Sequence, residues 1–166
     1  MKYVLTLLLF CVVLTVHAQV DSTTPPYRKF PQLPPLQLLL GDSTTQYAKA
    51  DLPKKKKVLV MLFSPDCSHC QYEAEAMVQR KEDLRDIQVV MVTMHPIHQM
   101  NAFAEKYQLN ELKHIVIGRD MYVTLPSFYN IRHLPFHSLY DKKGNLITAF
   151  EGSADLQKIL DAFSQN

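Results

Sequence analysis

The chain has 166 residues, 47% of them hydrophobic and 20% charged, with a formal net charge of +2. Length and apolar content suffice for one domain with a real core. Neither sign of charge dominates, so nothing argues for a nucleic-acid partner. The one basic cluster, Lys54 to Lys57, directly precedes an apolar run and reads as a solvated loop entering a buried strand.

Lys2 is followed by an apolar run from Tyr3 to Val16, interrupted by Thr6 and Thr15 and ending in Val16-His17-Ala18. This is the pattern of a signal peptide, residues 1–18, cleaved after Ala18: the run is shorter than the roughly 20 residues that span a bilayer. The competing reading is an uncleaved membrane anchor. Export is expected either way, to the periplasm or its equivalent. Residues 19–32, with Pro25-Pro26 and Pro31, read as an extended leader without regular helix. Residues 33–166 are expected to form the folded domain.

Leu36 to Leu40 and Thr44 to Ala48, around Gly41-Asp42, suit a hairpin on a sheet edge. Lys57 to Phe63 has almost no polar alternation and reads as a strand buried on both faces. From Cys67 to Asp83 the apolar spacing becomes helical, after the start signal Ser64-Pro65-Asp66. Ile87 to Thr93 is a second buried strand, Ile97 to Leu109 a second helix, and His114 to Ile117 a third strand ending before Gly118. Tyr122 to Asn130 predicts a short helix interrupted at Pro126. Phe136 to Tyr140 and Leu146 to Phe150 flank the turn-rich Asp141-Lys142-Lys143-Gly144 and form antiparallel strands. Ala154 to Phe163 closes the chain as a helix. Such alternation calls for a parallel sheet with crossover helices.

Once the signal is removed, Cys67 and Cys70 are the only cysteines left. A bridge between residues three apart constrains little of the unfolded chain, so reactivity is the better reason for the pair. Placed on the first turn of a helix, Cys67 meets unpaired N–H groups and a partial positive charge that favour its thiolate. Cys70, one turn further in, is the residue to resolve a mixed disulfide formed at Cys67. His69 adds positive charge near the sulfur and makes the disulfide more oxidising. Asp66 opposes that charge and reads first as a helix cap.

The strand, the Cys67-Ser68-His69-Cys70 motif on a helix and a later proline before a β-hairpin resemble the thioredoxin fold, over roughly residues 33 to 164. The hairpin before the motif strand, the extra strand-and-helix unit, and Cys67-Ser68-His69-Cys70-Gln71-Tyr72-Glu73, a C-x-x-C-x-x-E match, resemble the exported TlpA/ResA-like thiol-disulfide oxidoreductases. That resemblance implies an α/β three-layer fold, a central mixed sheet flanked by helices with an N-terminal β-hairpin extension. It also implies a monomeric enzyme exchanging a Cys67–Cys70 dithiol or disulfide with protein thiols and disulfides. No other cofactor and no metal is implied, and a membrane thiol donor recharges it, for example during cytochrome c maturation. Leu134-Pro135 matches the family's cis-proline, whose backbone receives an incoming peptide. Glu73 matches a carboxylate that handles protons, although an ordinary surface glutamate fits the sequence equally well. Two positions depart from the family: Asp66 replaces the usual aromatic before the first cysteine, and Met61 stands where thioredoxin has a buried acid.

Direction stays open, because His69 points toward an oxidant and the family resemblance toward a reductant, the reading preferred here. Other classes compete. A copper or zinc site would draw on Cys67, Cys70 and some of His69, His95, His98, His133 and His137. A peroxidase of the peroxiredoxin kind would want a threonine three residues before its cysteine, where this chain has Ser64. Haem attachment is excluded by Gln71, which stands where a histidine must follow.

Overall fold

Strand β3 (Lys57–Leu62) sits between a parallel and an antiparallel neighbour, and its side chains divide strictly between the two sides of the sheet. Leu59, Met61 and then Phe63 enter one apolar cluster, Val58, Val60 and Leu62 the other. This double burial is why the segment carries almost no polar residues. The computed structural model describes residues 24–165. The expected signal peptide lies outside them.

Around β3 the sheet contains β1 (Gln37–Leu39), β2 (Gln46–Ala48), β4 (Ile87–Thr93), β5 (Ile115–Asp120), β6 (Phe136–Tyr140) and β7 (Leu146–Glu151), in the order β2-β1-β5-β4-β3-β6-β7. β3, β4 and β5 are parallel, and every other pairing is antiparallel. Helices α2 (Ser68–Gln79), α3 (Lys81–Leu84), α4 (Ile97–Lys106) and α6 (Leu156–Ser164) cover one side. Helices α1 (Pro26–Lys29) and α5 (Thr124–Tyr129) cover the other, with Leu33, Leu36 and Leu38. This is a thioredoxin-like α/β fold with a mixed sheet and an edge hairpin, β1–β2, as the sequence leads one to expect.

Several local expectations need correction. The leader is not wholly extended, because Pro26–Lys29 makes one helical turn. Proline at its first position costs nothing there, where the N–H would be unpaired anyway. Tyr27 is buried, its ring 5.7 Å from that of Tyr129 and 6.0 Å from that of Phe136. Strand β5 does not stop before Gly118 but runs through it to Asp120. The glycine permits close approach: a Cβ there would lie 2.7 Å from the Cβ of Leu38. Pro126 does not interrupt α5, since it occupies the first turn, where no intrahelical N–H is needed. The long helix expected over 67–83 is broken at Arg80 (φ −112°, ψ 32°) into α2 and α3.

Candidate active site

The C-terminal ends of β3, β4 and β5 and the start of β6 converge on one edge of the sheet, so the segments after β3 and before β6 come together there. Helix α2 begins one residue later than the start signal suggests. Cys67, not Asp66, is its N-cap, and its sulfur accepts the backbone N–H of Cys70 at 3.4 Å. Asp66 is exposed and leaves that position to the thiol. The Pro65 carbonyl is held by the Gln71 side-chain amide at 2.8 Å, and the Cys67 N–H donates to the Ser64 carbonyl at 3.1 Å. The turn carrying the sulfur is therefore tied down at both ends.

Both cysteines are free thiols, Cys67 half-buried and Cys70 fully buried. Burial, joined by the hydrogen bond from Cys70 to the Cys67 side chain, holds the Cys70 thiol well above the ordinary thiol range. The Leu134–Pro135 peptide bond is cis, and the Leu134 carbonyl oxygen lies 3.8 Å from Cys67 Sγ. The Pro135 carbonyl is already taken by the Gly152 N–H at 2.9 Å. Leu134, not Pro135, is thus the residue whose backbone faces the sulfur. His69 is exposed on the first turn of α2.

Glu73 is not a surface residue. It is buried one turn after Cys70, with Oε2 at 2.6 Å from His137 Nε2 and Oε1 accepting from Ala154 N at 2.8 Å and Ser153 Oγ at 3.3 Å. Sequence reasoning missed this partnership. His137 lies 64 positions away, and the one local clue is an imidazole in the middle of a strand that is otherwise closely packed. A second unforeseen contact joins the segments that follow β3 and β4. Ser64 Oγ meets His95 Nε2 at 3.1 Å, while His95 Nδ1 donates to Gln99 Oε1 at 2.8 Å, which leaves Nε2 the acceptor.

These pairings spend two of the histidines a metal site would want, and His98 and His133 are exposed. Among the described residues no three His, Cys, Asp or Glu side chains gather as a metal centre requires.

A family model described as the AhpC/TSA family matches residues 31–159. The chain belongs to that family. Among curated proteins no sequence match is significant. Solved structures share the fold. A secreted Mycobacterium tuberculosis disulfide oxidoreductase homologous to E. coli DsbE is 18% identical with a TM-score of 0.64, over 81% of this chain and 96% of that one. The exposed lipoprotein thioredoxin Etrx1 of Streptococcus pneumoniae is 23% identical with a TM-score of 0.59, over 80% and 100%. A peroxiredoxin-like protein from Aquifex aeolicus is 11% identical with a TM-score of 0.65, over 81% and 84%. Among the described residues no helix is long and apolar enough to cross a membrane.

Proposed function

We propose that this member of the AhpC/TSA family is an exported thiol-disulfide oxidoreductase of the TlpA/ResA-like kind, exchanging a Cys67–Cys70 dithiol for disulfides in protein substrates. One observation carries the reading: a half-exposed Cys67 at a helix N-terminus, beside the backbone of Leu134, with a fully buried Cys70 waiting behind it. The helix amides stabilise negative charge on Cys67 as it attacks a substrate disulfide. Leu134 aligns the substrate chain, and Cys70 then displaces the substrate from the mixed disulfide. The protein acts as a monomer and mainly as a reductant, recharged by a membrane thiol donor, with no cofactor beyond its own cysteines. The secreted and exposed proteins among its structural neighbours support export.

Reduction of insulin by dithiothreitol in the presence of the protein tests the activity, and the Cys67→Ser variant is expected to fall to background. Cys70→Ser is expected to trap mixed disulfides with natural substrates. A protein inert in the insulin assay sinks the reading, and equilibration with glutathione decides the direction of electron flow.

A second reading, reduction of a hydroperoxide at Cys67, has the family match and the peroxiredoxin-like neighbour in its favour. Against it, the Ser64 hydroxyl turns to His95 and the Asp66 N–H, not to the Cys67 sulfur. Consumption of hydroperoxide faster than by free cysteine would establish it.

A further inference from the structure

Resolution of a mixed disulfide demands something that the Cys67 thiol cannot supply. In the reduced protein Cys70 hydrogen-bonds to the Cys67 side chain. Once Cys67 is joined to a substrate, that sulfur no longer carries negative charge to receive a proton. Cys70 has no exposed surface, so its proton has to leave through a buried group.

Among the described residues, three buried side-chain atoms that could accept a hydrogen bond lack a partner: His114 Nε2, His137 Nδ1 and Ser138 Oγ. His114 precedes β5, at the end of the sheet away from the cysteines. Ser138 points to the other side, beside Tyr129 and Tyr140. His137 alone is on the cysteine side, where its neighbour Glu73 acts electrostatically on Cys70. The Glu73 carboxylate accepts from Ala154 N–H and Ser153 O–H, and in the 2.6 Å contact its second oxygen is again the acceptor, with His137 Nε2 the donor. A neutral imidazole donating from Nε2 has its basic lone pair at Nδ1.

We propose that His137 Nδ1 takes up the proton that Cys70 loses during resolution, with Glu73 as the positioning residue that fixes the tautomer and stabilises the imidazolium. The inference rests on the oxidoreductase reading above. As Cys70 attacks Cys67 Sγ, the bond from Cys67 to the substrate sulfur breaks and the Cys67–Cys70 bond forms. The substrate leaves as a thiolate with the electron pair, and the Cys70 proton passes to His137. The substrate disulfide is thereby reduced and the dithiol oxidised, with no further reactant.

The groups that face this imidazole are few. Helix α2, on the same side of the sheet, carries Cys67, Cys70 and Glu73, of which Glu73 touches the ring. β3 offers the uncharged Met61 opposite it, and β7 offers Phe150, with Glu151 exposed beyond it holding the backbone N–H groups of Arg132 and His133. The loop before α6 contributes Ser153 and the α6 cap Asp155, and α6 itself Lys158, whose ammonium lies 4.3 Å from the Phe150 ring centre. Glu73 is therefore the one charge in direct contact.

The test mixes reduced protein with a chromogenic aryl disulfide and follows the two releases of coloured thiolate, first by Cys67 and then by Cys70, over about pH 6 to 9. His137→Asn keeps a donor for Glu73 but has no base. It should leave the first release within about twofold, and slow the second about 100-fold near neutrality, with a rate rising about tenfold per pH unit. A second phase equal to wild type in rate and pH profile overturns the inference and leaves the oxidoreductase reading standing. A wild-type protein that shows no first release sinks that reading and the inference together. Should His137→Asn fail to fold, nitrogen NMR of the wild type decides. An unprotonated Nδ1 in the reduced protein, protonated as Cys70 ionises, supports the assignment; a proton on Nδ1 from the outset overturns it.

Discussion

Strand β6 shows two different ways to bury polarity within five residues. On the α2 side, His137 meets the Glu73 carboxylate at 2.6 Å with both side chains almost wholly buried. On the other side, Tyr140 meets Tyr129 hydroxyl to hydroxyl at 2.8 Å, amid the rings of Tyr27 and Phe136. Burial raises both phenols above their usual range, Tyr129 strongly, so this second pair stays neutral. A neutral pair secures the packing at low cost. An ionisable one is expensive to bury and adds little net stability over apolar packing, so its presence one turn from Cys70 sets the two sides of β6 apart.

The largest expected effect breaks that contrast directly. Glu73→Ala strands a buried imidazole and two further donors, and should cost about 3–5 kcal/mol in urea unfolding. A loss no greater than that of a neutral hydrogen bond would erase the distinction between the two sides. Next comes the seam where the edge hairpin joins the parallel strands. Gly118→Ala forces a Cβ to 2.7 Å from Leu38 and should cost about 1–3 kcal/mol in the same assay. Tyr129→Phe removes one neutral hydrogen bond, for about 1 kcal/mol by denaturant titration near neutrality.

The same tyrosine sharpens the comparison in alkali. Its folded-state value lies above the usual 10.0, so the unfolded chain gives up the phenolic proton first. The stability is fully present below about pH 10 and is lost as pH rises beyond it, at up to about 1.4 kcal/mol per pH unit for each such group. Thermal unfolding at a series of alkaline pH values should show this decline, and Tyr129→Phe should reduce its slope. An unchanged slope would place the alkaline sensitivity elsewhere.

The framework of the fold was legible because it follows local periodicity. The run Lys57 to Leu62, the helical spacing after Cys67 and the turn at Gly144, with φ 82°, each declare themselves within a few residues. The dithiol was legible for the same reason. What sequence could not disclose were relations between distant positions. Glu73 looks like Glu75 until β6 brings His137 across it, and Ser64 looks like a loop serine until His95 arrives from the end of β4. Gly118 was misread because a glycine that ends a strand and one that admits Leu38 have the same local appearance. Asp66 lost the cap to Cys67 because a sulfur can fill a role normally given to oxygen.

The short helix at Pro26–Lys29 has a practical corollary for anyone expressing the protein. Starting the recombinant chain at residue 33, where the sequence alone sets the start of the folded domain, would amputate an aromatic plug and leave a wet hole beside Phe136, the residue that follows Pro135. Cloning from residue 24 or earlier keeps that plug in place.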